Sequence, residues 1–248
     1  MGADLKNSQD RVTTIIKGGG PAGNIVCTAR SDGAVKGYVE NPGVELPLGP
    51  DGKLDVSMAV GWFGELTVVR DMGLREPYVG RCELVSGEIA EDFARYFTVS
   101  EQQPSLVYLG VRMDPHTGDV CAGGGLVIQP LPGCPACNLD ALQERADGIR
   151  ALAGMLETIP LEKALQKLFQ GMDWRLTESL TPAFRCDCSR PRLEQALISL
   201  GEAELTDMIE TEHGAELTCH FCNKAYRFTE AELQQLLREA KQEKERNG

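Results

Sequence analysis

The stretch FRCDCSRP, residues 184–191, sets Cys186 and Cys188 one residue apart. Downstream, TCHFCNKAYRFT, residues 218–229, carries a second close pair, Cys219 and Cys222. The pattern is C-x-C, 30 residues, C-x-x-C. Zinc takes four soft ligands on a tetrahedron at about 2.3 Å each, and two close cysteine pairs are the sequence form of such a set. The C-x-x-C pair suits a knuckle at a hairpin tip. There backbone amides can donate to thiolates, and Asn223 can take the left-handed conformation such a turn needs. A module of about 45 residues with few large apolar side chains folds poorly alone, so a metal is a sensible staple.

The C-x-C spacing adds chemistry. A disulfide between such neighbours closes a small, strained ring, and strained disulfides are oxidising and labile. A zinc-bound cysteine is a thiolate, so an accessible one reacts with oxidants. Loss of the thiolates releases the metal, and the module unfolds with it. A redox switch and a permanent zinc staple both fit these residues, beside the plain alternative of four buried thiols.

Around the cysteines the pattern is that of a compact helix–hairpin–helix unit. In SRPRLEQALISLG, Ser189 can cap a helix, Pro191 suits its first turn and Gly201 ends it. AELTDMI reads as a short helix, and AELTCHFCNKAYRF as a hairpin with Cys219 and Cys222 at its tip. Thr229 and Glu232 form a capping box ahead of a last helix with Leu233, Leu236, Leu237 and Ala240 on one face.

Upstream, VTTII, NIVCTAR and AVKGYV are β-branched runs separated by KGGGPAG and by the turn Asp32-Gly33. KLDVSMAV and ELTVVRD continue the strand-like series across GWFG. SGEIAEDFARYF turns helical, with Ile89, Phe93, Tyr96 and Phe97 on one face and Ser86 as the expected cap. SLVYLGVRMD and VCAGGGLVIQ return to strand around PHTG. The fold class expected is α/β, of the α+β kind. Residues 1–132 form a mixed sheet with packed helix, residues 133–183 an amphipathic helical linker, 184–232 the zinc module, and 233–248 a helix and fraying tail. In the linker, Leu142, Ala146, Ile149, Ala153 and Leu156 recur at helical spacing. Leu161, Leu165, Leu168 and Phe169 make a second stripe after Pro160. Helices packed on the sheet and a metastable segment that opens are both compatible with this pattern.

Composition sets the frame. The chain has 248 residues, 42% hydrophobic and 25% charged, and no apolar run long enough to span a bilayer. Its net charge of −12 argues against a nucleic-acid surface. The polar N-terminus lacks a signal-peptide core, so a cytoplasmic location is the default. Thiols stay reduced there, and nine cysteines are then ligands, redox groups or buried hydrophobes.

The two cysteine pairs at this spacing, with TCHFCNKAYRFT, resemble the zinc motif of the 33-kDa heat-shock protein family, the redox-regulated bacterial holdases. VKGYVENPGVELPL, GKLDVSMAVG, DMGLREPYVGRCELVSGEIAEDFARYF and AGGGLVIQPLPG are similar to its core blocks. The resemblance covers about residues 11 to 232. It implies one zinc ion on Cys186, Cys188, Cys219 and Cys222 in a reduced, poorly active protein. Hypochlorous acid, or peroxide with heat, then forms the disulfides Cys186–Cys188 and Cys219–Cys222 and expels zinc. Module and linker unfold, and clients are held without ATP, usually by a homodimer. Family members carry a further strand and helices before VTTII, whereas MGADLKNSQDR resembles the end of a family helix. The natural protein is therefore expected to be longer, with Met1 internal or a truncated start. An intact mass near 27.0 kDa for the native protein would contradict that.

Other features weigh less. Cys134 and Cys137 form a C-x-x-C pair not expected from the family; it is read as incidental, with an auxiliary redox pair as the minority alternative. Cys27, Cys82 and Cys121 are expected to be buried. GGGPAGN lacks the lysine and hydroxyl ending of a phosphate loop. Asp114 and Asp119 read as turn residues beside a solvated His116, with His213 solvated too. His220 is expected to face outward from a shell that the cysteines complete. No nucleophile–base set is visible, so the chain is read as a non-enzyme. A disulfide oxidoreductase and a plain zinc-stapled interaction module are the competing classes.

Overall fold

A computed structural model describes residues 1–46, 54–114, 116–135, 140–142 and 144–247, with side chains to residue 241. The chain divides into two compact units, Met1–Gly33 with Val39–Pro182, and Ala34–Tyr38 with Ala183–Gly248.

The first unit is built on the β-branched runs. Strands β1 (Arg11–Lys17) and β2 (Ile25–Arg30) pair antiparallel, with Thr13 opposite Thr28. The next strand, β3 (Ala34–Val39), falls almost wholly in the second unit. LDVSMAV is not a strand: Val56–Val60 is a single helical turn, α1. Asp55 is the reason. Its carboxylate accepts from the Met58 amide at 3.1 Å, and Gly61 stops the turn at φ 76°. Strand β4 (Glu65–Asp71) then pairs with β1 and with β5 (Tyr78–Glu83), giving the order β5-β4-β1-β2. Helix α2 (Ile89–Val99) lays Tyr96 and Phe97 into the core with Val12, Ile16, Leu66 and Val68, while Ile89 and Phe93 pack at its edge.

Ser86 does not cap α2. Asp92 serves that end instead: it is buried and accepts from the amides of Val85 at 2.7 Å and Ser86 at 3.3 Å. The loop KGGGPAG holds α1 by backbone, Gly20 donating to the Val60 carbonyl at 2.9 Å and Ala22 to that of Ala59 at 3.0 Å. Amides already spent on the fold cannot cradle a phosphate.

Strands β6 (Leu106–Met113) and β7 (Val120–Ile128) form a hairpin of their own rather than extending the larger sheet. The linker packs on it. Its helical pattern breaks at residues 144–145, and α3 (Ala146–Arg150), α4 (Leu152–Thr158) and α5 (Leu161–Leu168) follow as short helices. Ile149, Leu152, Ala164 and Leu168 are buried against Leu106, Tyr108, Leu126 and Ile128. Cys82 is buried as expected, but Cys27 and Cys121 are exposed. The alternating burial of β7 puts position 121 on its outward face.

In the second unit, β3 runs parallel to β8 (Ala183–Phe184), Val35 opposite Phe184. Helices α6 (Arg190–Leu200) and α7 (Glu202–Asp207) and a wider turn at Met208–Glu212 lead to the hairpin of β9 (Gly214–Thr218) and β10 (Ala225–Thr229). Helix α8 (Glu230–Asn247) closes the unit. The capping box forms: the Glu232 carboxylate accepts from the Thr229 amide at 2.8 Å, and the Thr229 hydroxyl accepts from the Glu232 amide at 3.4 Å. Leu197, Leu205, Tyr226, Phe228, Leu233 and Leu236 are its buried core.

Candidate metal centre

The hairpin and the start of α6 bring four sulfurs to one point. The Sγ atoms of Cys186, Cys188, Cys219 and Cys222 all lie within 4.8 Å of one another. Each close pair sits on its own segment, one just after β8 and one between β9 and β10. Asn223 takes φ 58° and its amide donates to the Cys219 carbonyl at 2.8 Å, while the Cys219 amide donates to the Lys224 carbonyl at 3.0 Å. Those bonds shape the knuckle.

Sulfur contacts run between the pairs, Cys186 to Cys219 at 3.6 Å and Cys188 to Cys222 at 3.4 Å. Four sulfurs at about 2.3 Å from one tetrahedral ion would stand about 3.8 Å apart. The donor set and spacing therefore fit a zinc-type ion. Among the described residues this is the one group of three or more metal-ligating side chains so placed.

The surroundings treat the sulfurs unequally. The Tyr226 hydroxyl, on β10, donates to the Cys188 sulfur at 3.3 Å and lies 3.2 Å from the Cys188 carbonyl. That bond, with those of the neighbouring sulfurs, outweighs desolvation and lowers the Cys188 thiol to about 7. Desolvation instead pushes Cys186 up to about 12. Between them, Asp187 is ion-paired to both Lys36 and Arg192. Burial alone would raise its carboxyl, but these two cations win and hold it well below the usual carboxylate range. His220 is exposed and stacks on Tyr38 at 5.5 Å between ring centroids, apart from the sulfurs.

The remaining candidates stay separate. Cys134 is half-buried in the first unit, and Cys137 lies outside the described residues. Asp114 accepts from the amides of His116 at 2.7 Å and Thr117 at 3.1 Å, a turn and no catalytic array. His213 takes a left-handed φ of 54° with its ring 3.5 Å from Glu230. Lys36, Tyr38, Arg192 and Tyr226 were not singled out from sequence. Tyr226 could have been found, four residues after Cys222 on an alternating strand.

Fold and site together define a mixed α/β protein with a four-thiol, metal-type centre in a small C-terminal unit. The family model described as Hsp33 protein matches residues 1–229. A 33 kDa chaperonin of Clostridium perfringens (strain SM101 / Type A) is 47% identical over 241 residues, covering 96% of this chain and 76% of the relative. One from Alkaliphilus metalliredigens (strain QYMF) is 47% identical over 240 residues, covering 96% and 82%. The crystal structure of a 33 kDa chaperonin, a heat shock protein 33 homolog, from Thermotoga maritima superposes with TM-score 0.82 at 37% identity, covering 95% of this chain and 80% of that one. The chain belongs to the Hsp33 family of chaperones.

Proposed function

We propose that this chain is a redox-regulated, ATP-independent holdase, silent when reduced and switched on by oxidation of Cys186, Cys188, Cys219 and Cys222. The observation that carries the proposal is the convergence of four sulfurs in a unit whose own core is small. Zinc bound there would keep all four cysteines deprotonated and cross-link the two cysteine-bearing segments.

Four thiolates losing four electrons give two disulfides. Two hypochlorous acid molecules and two protons take those electrons, yielding two chloride ions and two waters. Pairing as Cys186–Cys188 and Cys219–Cys222 removes the link between the segments. Pairing across them, as Cys186–Cys219 and Cys188–Cys222, would replace one cross-link by another and leave the unit stapled. Activation by unfolding therefore requires the first arrangement. The linker, residues 133–183, opens with the module and bares its apolar stripe to clients. We place this action in the cytoplasm, with unfolded or partly folded proteins as partners and a homodimer as the oxidised form. Neither nucleic acid nor membrane takes part, and the chain acts by binding and not by turnover. Among the described residues no helix is long and apolar enough to cross a membrane.

The test is light scattering of a denatured client with the protein either reduced and zinc-loaded or oxidised with hypochlorous acid. Suppression by the oxidised form alone, reversed by dithiothreitol and zinc, is the expected result. Zinc retention under oxidant with no gain of binding would leave a plain zinc-stapled module; turnover of a disulfide substrate would indicate an oxidoreductase.

A further inference from the structure

The second compact unit contains five residues from the other end of the chain. Strand residues Ala34–Tyr38 group with Ala183–Gly248. The backbone link is short: β3 pairs with β8 at only two positions, and the Arg185 amide donates to the Val35 carbonyl at 2.9 Å. The side chains of β3 do more. Lys36 is ion-paired to Asp187, the residue between Cys186 and Cys188. Its ammonium also stands 4.5 Å from the ring centroid of Phe221, the residue before Cys222. Tyr38 meets the same knuckle, stacked on His220 and edge-on to Phe221 at 5.1 Å. One lysine thus touches both cysteine-bearing segments without touching a sulfur.

Charge explains why a cation is needed there. Four thiolates around a divalent ion carry a net charge of −2, and Asp187 adds a third negative charge between two of the ligands. Only its ion pairs make that placement tolerable. Arg192 supplies one from the neighbouring helix; Lys36 supplies the other from 151 residues away. The Lys36 side chain is 17% exposed, so the pair is shielded more than the surface pairs that contribute nothing measurable.

We propose that Lys36 is the positioning residue of the thiol switch: it holds the two cysteine-bearing segments in one arrangement, and so sets how fast the centre is lost to oxidant. The proposal rests on the function proposed above. It makes β3 a working part of the cysteine module, so that loss of the module releases this strand from its contacts as well.

The experiment compares the 248-residue chain with its Lys36→Met, Lys36→Arg, Asp187→Asn and Lys36→Met/Asp187→Asn variants. Zinc release under hypochlorous acid is followed with a chromophoric chelator, and labelling of Cys186 and Cys188 by mass spectrometry. Lys36→Met keeps the apolar stem and removes the charge. It is expected to bind zinc at wild-type stoichiometry but release it on the order of tenfold faster, the usual scale for residues that support metal ligands. Lys36→Arg retains both the ion pair and the contact with the Phe221 ring, and should restore the slow rate. The effects of the two single changes should not multiply in the double variant, because both remove the pair they share. Release by Lys36→Met at the wild-type rate would overturn the proposal, as would multiplied effects in the double variant. Were the wild-type chain to hold no zinc, the metal reading of the site would fail instead. Lys36 would then be judged on labelling alone, where faster modification of Cys186 and Cys188 in Lys36→Met supports it and an unchanged rate overturns it.

Discussion

Tyr226 is buried in the module's core, yet its hydroxyl ends on the sulfur of Cys188. A thiolate that accepts such a bond is a weaker nucleophile, because the donor stabilises the charge an oxidant must attack. Tyr226→Phe is therefore expected to keep zinc stoichiometry and to speed peroxide-driven zinc release several-fold to about tenfold; an unchanged rate would show that the hydroxyl serves packing only. A second residue-scale prediction concerns acid. The amide and hydroxyl of Thr229, aided by Arg190, hold the Glu232 carboxyl below its ordinary value. A group with a depressed folded-state value contributes stability above the ordinary carboxylate range, and that contribution is lost as pH falls through the folded value. Thr229→Ala should cost α8 about 1 kcal/mol near neutrality, and the melting-temperature gap to wild type should shrink below about pH 4. A constant gap across that range would remove Glu232 from the account. The capping box and the left-handed Asn223 were legible in the sequence because both are local. Lys36 and Tyr38 were not, since nothing in a strand of alternating character says which distant loop its side chains will meet.

At the scale of elements, the same division between local and distant information holds. Strands β1, β2 and β4 follow from β-branched runs, α2 from apolar spacing and α6 from its proline and glycine punctuation, whereas β5, YVGRCE, has one β-branched residue and does not read as a strand. Segment 54–60 misled because its hydrophobic residues suit a strand, while Asp55 and Gly61 punctuate it as a helical turn. Close backbone packing there depends on glycine: a Cβ on Gly20 would lie 2.3 Å from the Ala59 carbonyl oxygen. Gly20→Ala should destabilise the first unit by about 2 kcal/mol or more, read as a lower midpoint in urea; a shift within error would mean the loop yields freely. The linker shows a different economy. Among the described residues, α3, α4 and α5 are short and bury five side chains between them, Ile149, Leu152, Ala153, Ala164 and Leu168. On so small a core the linker is expected to open before the sheet does. Leu168→Ala truncates one of the five and should cost about 2–5 kcal/mol locally. Amide exchange should then accelerate in residues 146–168 while β1 and β4 stay protected, and the reduced protein should suppress client aggregation more than wild type does. Equal acceleration throughout would mean that linker and sheet unfold as one.

For the molecule as a whole, the sequence pattern separated a cysteine module from an α/β core, but it could not assign Ala34–Tyr38 to the former. Contiguity in sequence is what composition and periodicity see, whereas a compact unit is defined by contacts. The second unit has six buried side chains in its core and a cluster of four sulfurs. Removing the proposed metal from residues 186–188 and 219–222 would leave those apolar side chains to hold two helices, a hairpin and the long final helix. A core of that size supplies only a few kcal/mol. Treatment of the reduced protein with a strong zinc chelator should therefore raise amide exchange across residues 183–229 by orders of magnitude. The amides of β1, β4 and β5 belong to the first unit and should exchange as before. The decisive region is β3. If residues 34–38 lose protection together with 183–229, metal and strand form one cooperative unit, and the charge pair of Lys36 and Asp187 lies on the path between them. If they keep the protection of β1 and β2, the strand is only a platform for the module, and loss of the metal ends at its surface.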